Sequence, residues 1–260
     1  RYVRGFDMFL QKRGCCGNTR KFYFKALRAI LNRANAEGVG SVATYPFGRG
    51  GFEVSKLEEA TAKRYLPAAK LSKLKSSTAS NPQCEYARKL FLFSYYCYGI
   101  SFIDMAMLTA AHIKQMEDGD YIVYKRQKIK RQKGVKPISI KITPAIRQLI
   151  GSLQAASPTV DDFLLPIVTR SGYTGERLYM HIRTRYSKYQ KYLRLLAEEL
   201  GIDFHLTSYV SRHTAAMTLQ RNNIPREVIS QMLGHADLET TNIYLDSFDN
   251  RVINEAAKVL

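Results

Sequence analysis

Strand patterning in this chain is confined to two short runs, residues 121–124 and 137–142, and the segment joining them constrains the fold most. It reads Lys125-Arg126-Gln127-Lys128-Ile129-Lys130-Arg131-Gln132-Lys133-Gly134, and from Lys125 to Lys141 there are eight basic residues and no acidic one. Two β-patterned runs joined in this way predict a hairpin with a cationic arm. Such an arm repels itself unless an anion lies against it. Elsewhere the apolar residues recur at the helical period, so the expected class is mainly α with one small β-sheet.

The charge of the whole chain points the same way. Among 260 residues, 40 are Lys or Arg and 22 are Asp or Glu, a formal net charge of +18 and far more than solubility needs. The surplus is +11 over residues 1–75, +6 over 76–142 and +1 over 143–260, which suggests a charged face and a polyanionic partner. A hydrophobic content of 45% with 24% charged residues excludes a disordered or fibrous chain. The most apolar run, 90–103, is 14 residues long, is interrupted by Ser94, Gly99 and Ser101, and ends at Asp104. A bilayer span needs about 20 apolar residues, so no membrane segment is expected. Cys15, Cys16, Cys84 and Cys97 form no CxxC pair and read as reduced thiols. The chain opens at Arg1 without a leader and reads as a fragment lacking its own N-terminus.

A helix is expected over 19–37, with Phe22, Leu27, Ile30, Leu31 and Ala34 on its core face. From Val39 to Ala68, Gly and Pro punctuate the chain in the manner of an interdomain linker. Asn81 followed by Pro82 starts a helix running to about Cys97, and Ser101-x-x-Asp104 caps a short one through Leu108. Further helices are expected over 143–154, 176–200 and 207–222, from Pro225 to Leu233, where Gly234 stops it, and from Asp237 through Tyr244. Residues 251–260 put Val252, Ile253, Ala256, Ala257 and Leu260 on one apolar face, which docks either in its own subunit or on a neighbour. The organisation expected is a helical domain over 1–60, a linker over 61–75, and a larger domain over 76–260.

Chemistry is concentrated near the C-terminus, where Arg212-His213, Leu233-Gly234-His235 and Tyr244 each adjoin a helix boundary within 33 residues. Cutting a phosphodiester without a metal takes a nucleophile, cations for the charge on the non-bridging oxygens, and an acid for the leaving oxygen. Tyr, Arg, His and Lys can fill those parts. The planar arginine fork binds two oxygens and stays protonated. A phenol, with an ordinary pKa near ~10, needs a neighbouring cation or base to become a nucleophile. No paired carboxylates or His/Cys clusters lie beside the basic segments, so neither a metal nor another cofactor is expected, and a metal nuclease is the weaker reading.

The segments Leu206-Thr-Ser-Tyr-Val-Ser-Arg-His-Thr-Ala-Ala-Met-Thr-Leu and Ile229-Ser-Gln-Met-Leu-Gly-His-Ala-Asp-Leu-Glu-Thr-Thr-Asn-Ile-Tyr-Leu resemble the C-terminal signature of the tyrosine recombinases, the phage- and transposon-type integrases. The likeness extends upstream through Phe91-Leu-Phe-Ser-Tyr-Tyr and Gly99-Ile-Ser-Phe-Ile-Asp-Met-Ala to Tyr124-Lys-Arg-Gln-Lys. The resemblance implies a two-domain DNA clamp, a helical core-binding domain plus a catalytic domain. Tyr244 would attack the scissile phosphorus, Arg212 and His235 would hold the phosphate, His235 also assisting proton transfer, and Lys128 would protonate the leaving 5′ oxygen, with Lys125, Lys130 and Arg131 as rivals for that part. Lys63 and Arg64 would cross the duplex, and Lys125, Arg126, Lys130 and Arg131 would meet the DNA backbone. The partners implied are double-stranded DNA, a homotetramer on two DNA sites and an accessory DNA-bending protein, in the cytoplasm and on the nucleoid of a prokaryotic host.

Two positions depart from the signature. Ser101 stands where similar enzymes carry their first catalytic arginine, and Tyr209 stands where many have histidine. Ser101 reads more simply as a helix N-cap, and the missing charge would have to come from a Lys or Arg of the hairpin, or from Arg88 or Lys89. A phenol at Tyr209 can still donate a hydrogen bond to phosphate. The expected activity is site-specific strand exchange for integration or excision of a mobile element. The alternatives are a catalytically weakened DNA-binding relative and a type IB topoisomerase-like enzyme.

Overall fold

The computed structural model describes residues 2–48, 50–59, 64–130 and 132–234. The chain divides into two compact units, residues 1–62 and 63–260.

The first unit is built on α1 (Tyr2–Lys12) and α2 (Gly17–Ala36). Its core is Val3, Leu10, Phe24, Phe47 and Val54. Phe24 is fully buried, with the rings of Phe6, Phe47 and Phe52 at 5.5, 6.3 and 4.4 Å. Arg20 joins the two helices through Asp7 at 2.9 Å. Two expectations change here and one helix is added. Helix α1 was not read from the sequence. In α2 the buried face turns on Phe24, while Phe22 and Ile30 of the expected core stripe are 69% and 65% exposed. The punctuated stretch after α2 is no linker over most of its length: Phe47 and Phe52 pair in a β-bridge, Val54 opens a 3₁₀ turn (Val54–Leu57), and the backbone of Glu59 exchanges hydrogen bonds with the side chain of Asn18. Gly17 permits that return, since a Cβ there would lie 2.4 Å from the Leu57 carbonyl oxygen.

The second unit begins with α3 (Ala68–Ser76), so residues 68–75 of the expected linker form a helix whose Leu71 and Leu74 are buried. Helix α4 (Pro82–Tyr96) follows; the Asn81 side chain caps it by accepting from the amides of Gln83 (2.8 Å) and Cys84 (3.4 Å), with Pro82 at the first position. Helix α5 (Phe102–Ala106) leads into a three-stranded antiparallel sheet of β1 (Ile113–Met116), β2 (Gly119–Tyr124) and β3 (Ile138–Lys141), in that order. The expected hairpin is the β2–β3 pair, in the register Tyr121 to Lys141 and Tyr124 to Ile138. The edge strand β1 was not foreseen. Helices α6 (Pro144–Ala156), α7 (Gly175–Glu199), α8 (Ser208–Arg221) and α9 (Arg226–Leu233) complete the described part, close to the expected ranges.

Helix α4 is the axis of this unit. It is buried at Ala87, Leu90, Phe91 and Phe93 and packs on α6, α7 and α8. The sheet adds Ile122 and Ile140 to the same core. A smaller cluster, Ala216, Met217, Ile229 and Leu233, joins α8 to α9. All four cysteines are free thiols, Cys84 and Cys97 being buried. No helix among the described residues is long and apolar enough to cross a membrane.

Candidate active site

Arg212 lies on α8 with 4% of its surface exposed. A buried guanidinium is costly unless hydrogen-bonded, and two backbone carbonyls meet this one. Its Nη1 donates to the Gly99 carbonyl at 3.1 Å and its Nη2 to the Leu233 carbonyl. The loop after α4 is shaped for that approach. Gly99 has a φ of +72°, and a Cβ added to it would lie 2.4 Å from Cα and 2.5 Å from Cβ of Arg212. Only glycine fits both the left-handed backbone and the contact. The loop is fastened by Ser94, whose hydroxyl donates to the Ile100 carbonyl at 2.8 Å and meets the Ser211 hydroxyl at 2.7 Å.

The same loop is tied to the base of the cationic arm. Asp104, 3% exposed, accepts from the Ser101 hydroxyl at 2.6 Å and from the Gln127 amide at 2.7 Å. Ser101 also accepts from the Asp104 amide at 3.3 Å, which makes it the N-cap of α5. Tyr124, at the end of β2, is buried beside Asp104, Arg212 and Arg126; burial pushes its phenol well above the ordinary value, Asp104 adds to the rise, and the two guanidiniums oppose it.

Helix α9 ends at Gly234, with φ +64° as the left-handed cap of the helix. Its missing side chain matters, because a Cβ would lie 2.3 Å from Cδ1 of Ile138 in β3. The Gly234 carbonyl accepts from Nη1 of Arg126 at 3.2 Å. Two arginines from distant parts of the chain therefore grip consecutive carbonyls at the helix end that leads into position 235. Beside them a cavity of about 620 Å³ lies between the arm and α9, lined by Arg126, Lys133, Lys136, Glu227 and Ser230 among others.

The expected site residues divide into three groups. Arg212, Ser101 and Arg126 are brought into one bonded network through Gly99, Asp104, Gln127 and the end of α9. Lys125, Lys128, Lys130 and Arg64 are exposed, and Tyr209 is 53% exposed with its ring edge against His213 at 5.5 Å. Lys63, Arg131, His235 and Tyr244 lie outside the described residues, as do the helix expected from Asp237 and the apolar stripe of 251–260. Arg88, offered as a substitute for the missing arginine, is committed elsewhere. It donates to both oxygens of Glu85 at 2.7 Å and to the Leu74 carbonyl at 2.8 Å, which fastens α4 to the end of α3. Lys89 lies 3.9 Å from the same carboxylate. Sequence reasoning missed Asp104 as the link to the arm and Arg126 as a partner of Gly234. Arg126 lies two residues beyond the end of β2 and is half-buried, whereas Lys125 before it is exposed.

The second unit is thus a mainly helical fold with one small antiparallel sheet and a buried arginine held between the loop after α4 and the end of α9. The profile of the phage integrase family matches residues 64–251, and the chain belongs to that family. It is 43% identical over 54 residues to the tyrosine recombinase XerD of Halalkalibacterium halodurans, covering 21% of this chain and 18% of that protein. It is 30% identical over 119 residues to the XerD of Brucella abortus, covering 45% and 35%. The chain thus spans about a fifth to a third of the length of the curated relatives it matches. Among solved structures, the Tn1549 transposon integrase in complex with a circular intermediate DNA superposes with a TM-score of 0.68 at 12% identity, over 99% of this chain and 84% of that one. The XerH site-specific recombinase bound to its difH substrate gives 0.61 at 18%, over 92% and 65%. At these identities the likeness is one of fold.

Proposed function

We propose that the protein is a site-specific DNA recombinase that integrates or excises a mobile element through a covalent tyrosine intermediate. The observation that carries the reading is the buried Arg212, held on the Gly99 and Leu233 carbonyls inside the family match that also spans His235 and Tyr244. In the proposed reaction the Tyr244 hydroxyl attacks the scissile phosphorus, passing its proton to His235, and the P–O5′ bond breaks. The 3′ phosphate is then esterified to Tyr244, and the 5′ oxygen takes a proton from Lys128 and leaves as a hydroxyl. Arg212 and His235 hold the non-bridging oxygens. Attack by the 5′-hydroxyl of a second duplex reverses these steps and joins new partners, so no ATP is consumed.

The partner proposed is double-stranded DNA, held by Lys63, Arg64 and the arm residues Lys125, Lys130 and Arg131. The first unit serves as the core-binding domain, four protomers act on two sites, and an accessory bending protein assists. The place of action is the nucleoid, in the cytoplasm of a prokaryotic host. Ser101 in place of an arginine favours one competing reading, a relative that binds DNA but has weakened catalysis.

The test is incubation of the protein with two duplexes carrying a site selected from a random pool by binding. Recombinant duplexes are expected, and they disappear in Tyr244→Phe. Tight binding with no cleavage would favour the weakened relative. Relaxation of plasmids of any sequence without exchange would favour a topoisomerase.

A further inference from the structure

We propose that Arg126 replaces the arginine absent at Ser101, as the second guanidinium on a non-bridging oxygen of the scissile phosphate. The proposal rests on the recombinase reading and adds a catalytic residue to it. Among the described residues the other sources of charge are spent or solvated. The Ser101 hydroxyl is engaged with Asp104, and Arg88 is paired with Glu85 and turned onto the end of α3. Lys89 shares that carboxylate, and Lys125, Lys128 and Lys130 stand in solvent.

Arg126 is half-buried and points back from the arm to the helix end that Arg212 also holds. Their carbonyl partners, Gly234 and Leu233, are neighbours in the chain, so both guanidiniums are held at the C-terminal end of α9. The absence of a side chain at Gly234 admits the approach, since a Cβ there would lie 3.3 Å from Cδ of Arg126. Tyr124 is close enough to feel both positive charges. Among the described residues no carboxylate is paired with Arg126. Its bond to Gly234 uses Nη1, and a guanidinium carries five N–H donors in a fork that fits phosphate oxygens. Partial burial strengthens the attraction beyond what an exposed lysine offers.

The alternative is purely structural, Arg126 serving only to pin the end of α9. Arg126→Gln separates the two when the charge of the substrate is varied, because it removes the positive charge and keeps a polar amide on the side chain. The full-length protein and this variant are reacted with a nicked duplex of the selected site, in one form with the natural phosphate and in another with a methylphosphonate at the cut position. The natural phosphate needs its charge balanced and the methylphosphonate does not. Arg126→Gln is expected to slow adduct formation about 100-fold on phosphate, in the range for removing one charge-stabilising donor. On methylphosphonate it should stay within a few-fold of wild type, with DNA binding and melting temperature little changed. Equal slowing on both substrates, or none on phosphate, overturns the proposal. Loss of the fold in Arg126→Gln overturns it as well, since the pinning role would then dominate. If the wild-type protein forms no adduct on either duplex while binding both, it is the recombinase reading that fails.

Discussion

Gly99→Ala introduces a methyl group where the structure has no room for one. The new carbon would lie 2.4, 2.5 and 2.6 Å from Cα, Cβ and Cγ of Arg212, and the first of these is backbone that cannot swing aside. Two costs add. A left-handed φ of +72° costs a non-glycine residue about 1 kcal/mol, and overpacking a tight contact costs a further ~1–3 kcal/mol. Gly172 supplies the control, for it has the same φ of +72° and nothing within 4 Å of its would-be Cβ. Gly172→Ala should therefore lose about 1 kcal/mol and Gly99→Ala about 2–4 kcal/mol, read as shifts of the urea midpoint at constant m-value. The extra loss belongs to the contact between the loop and α8, so adduct formation by Gly99→Ala should also fall while Gly172→Ala reacts as wild type. Equal destabilisation by the two substitutions would refute the claim that this loop is clamped against Arg212.

Burial pushes the Glu85 carboxyl up, but the Arg88 side chain, the Ala79 amide and Lys89 outweigh it and hold the group below its ordinary value of 4.5. A depressed pKa stabilises the fold above that value and the contribution is lost as the pH falls through the folded value. The stability gap between wild type and Glu85→Gln should accordingly narrow at acid pH, and a gap that widened on acidification would contradict the pairing. Ser101→Ala removes a donor from the buried Asp104 and should cost ~1–3 kcal/mol by chemical denaturation; no loss would mean that the carboxylate finds another donor. If Lys128 protonates the 5′ oxygen, Lys128→Ala should cleave ordinary DNA slowly but react at nearly the wild-type rate with a bridging 5′-phosphorothiolate, whose thiolate leaves without a proton. Rescue of Lys125→Ala or Lys130→Ala instead would move the acid to that residue.

Local chemistry made much of the second unit legible. Asn81-Pro82, Thr143-Pro144, Ser101-x-x-Asp104 and Gly234 act within a turn of the residues that reveal them, and the structure has a helix boundary at each. What escaped depends on partners far away in the chain. Phe47 and Phe52 sit among glycines that read as linker, and only their packing on Phe24 makes them core. Strand β1 is a solvated edge with no apolar alternation to betray it. Phe22 and Ile30 followed the helical period of α2 yet face solvent, because this small unit buries α2 through Phe24. In the candidate site, Arg212 was legible from its motif. The spending of Arg88 on Glu85 was written in an i, i+3 spacing, but its third bond, to Leu74, could not be read without the fold.

The central claim is that the Tyr244 hydroxyl becomes esterified to a DNA phosphate, and peptide mapping of the trapped complex tests it most directly. After reaction with a nicked duplex and digestion, tandem mass spectrometry should find the nucleotide on Tyr244 and a free 5′-hydroxyl on the released strand. A nucleotide on another tyrosine such as Tyr209, or cut DNA bearing a 5′-phosphate with no protein attached, would contradict it.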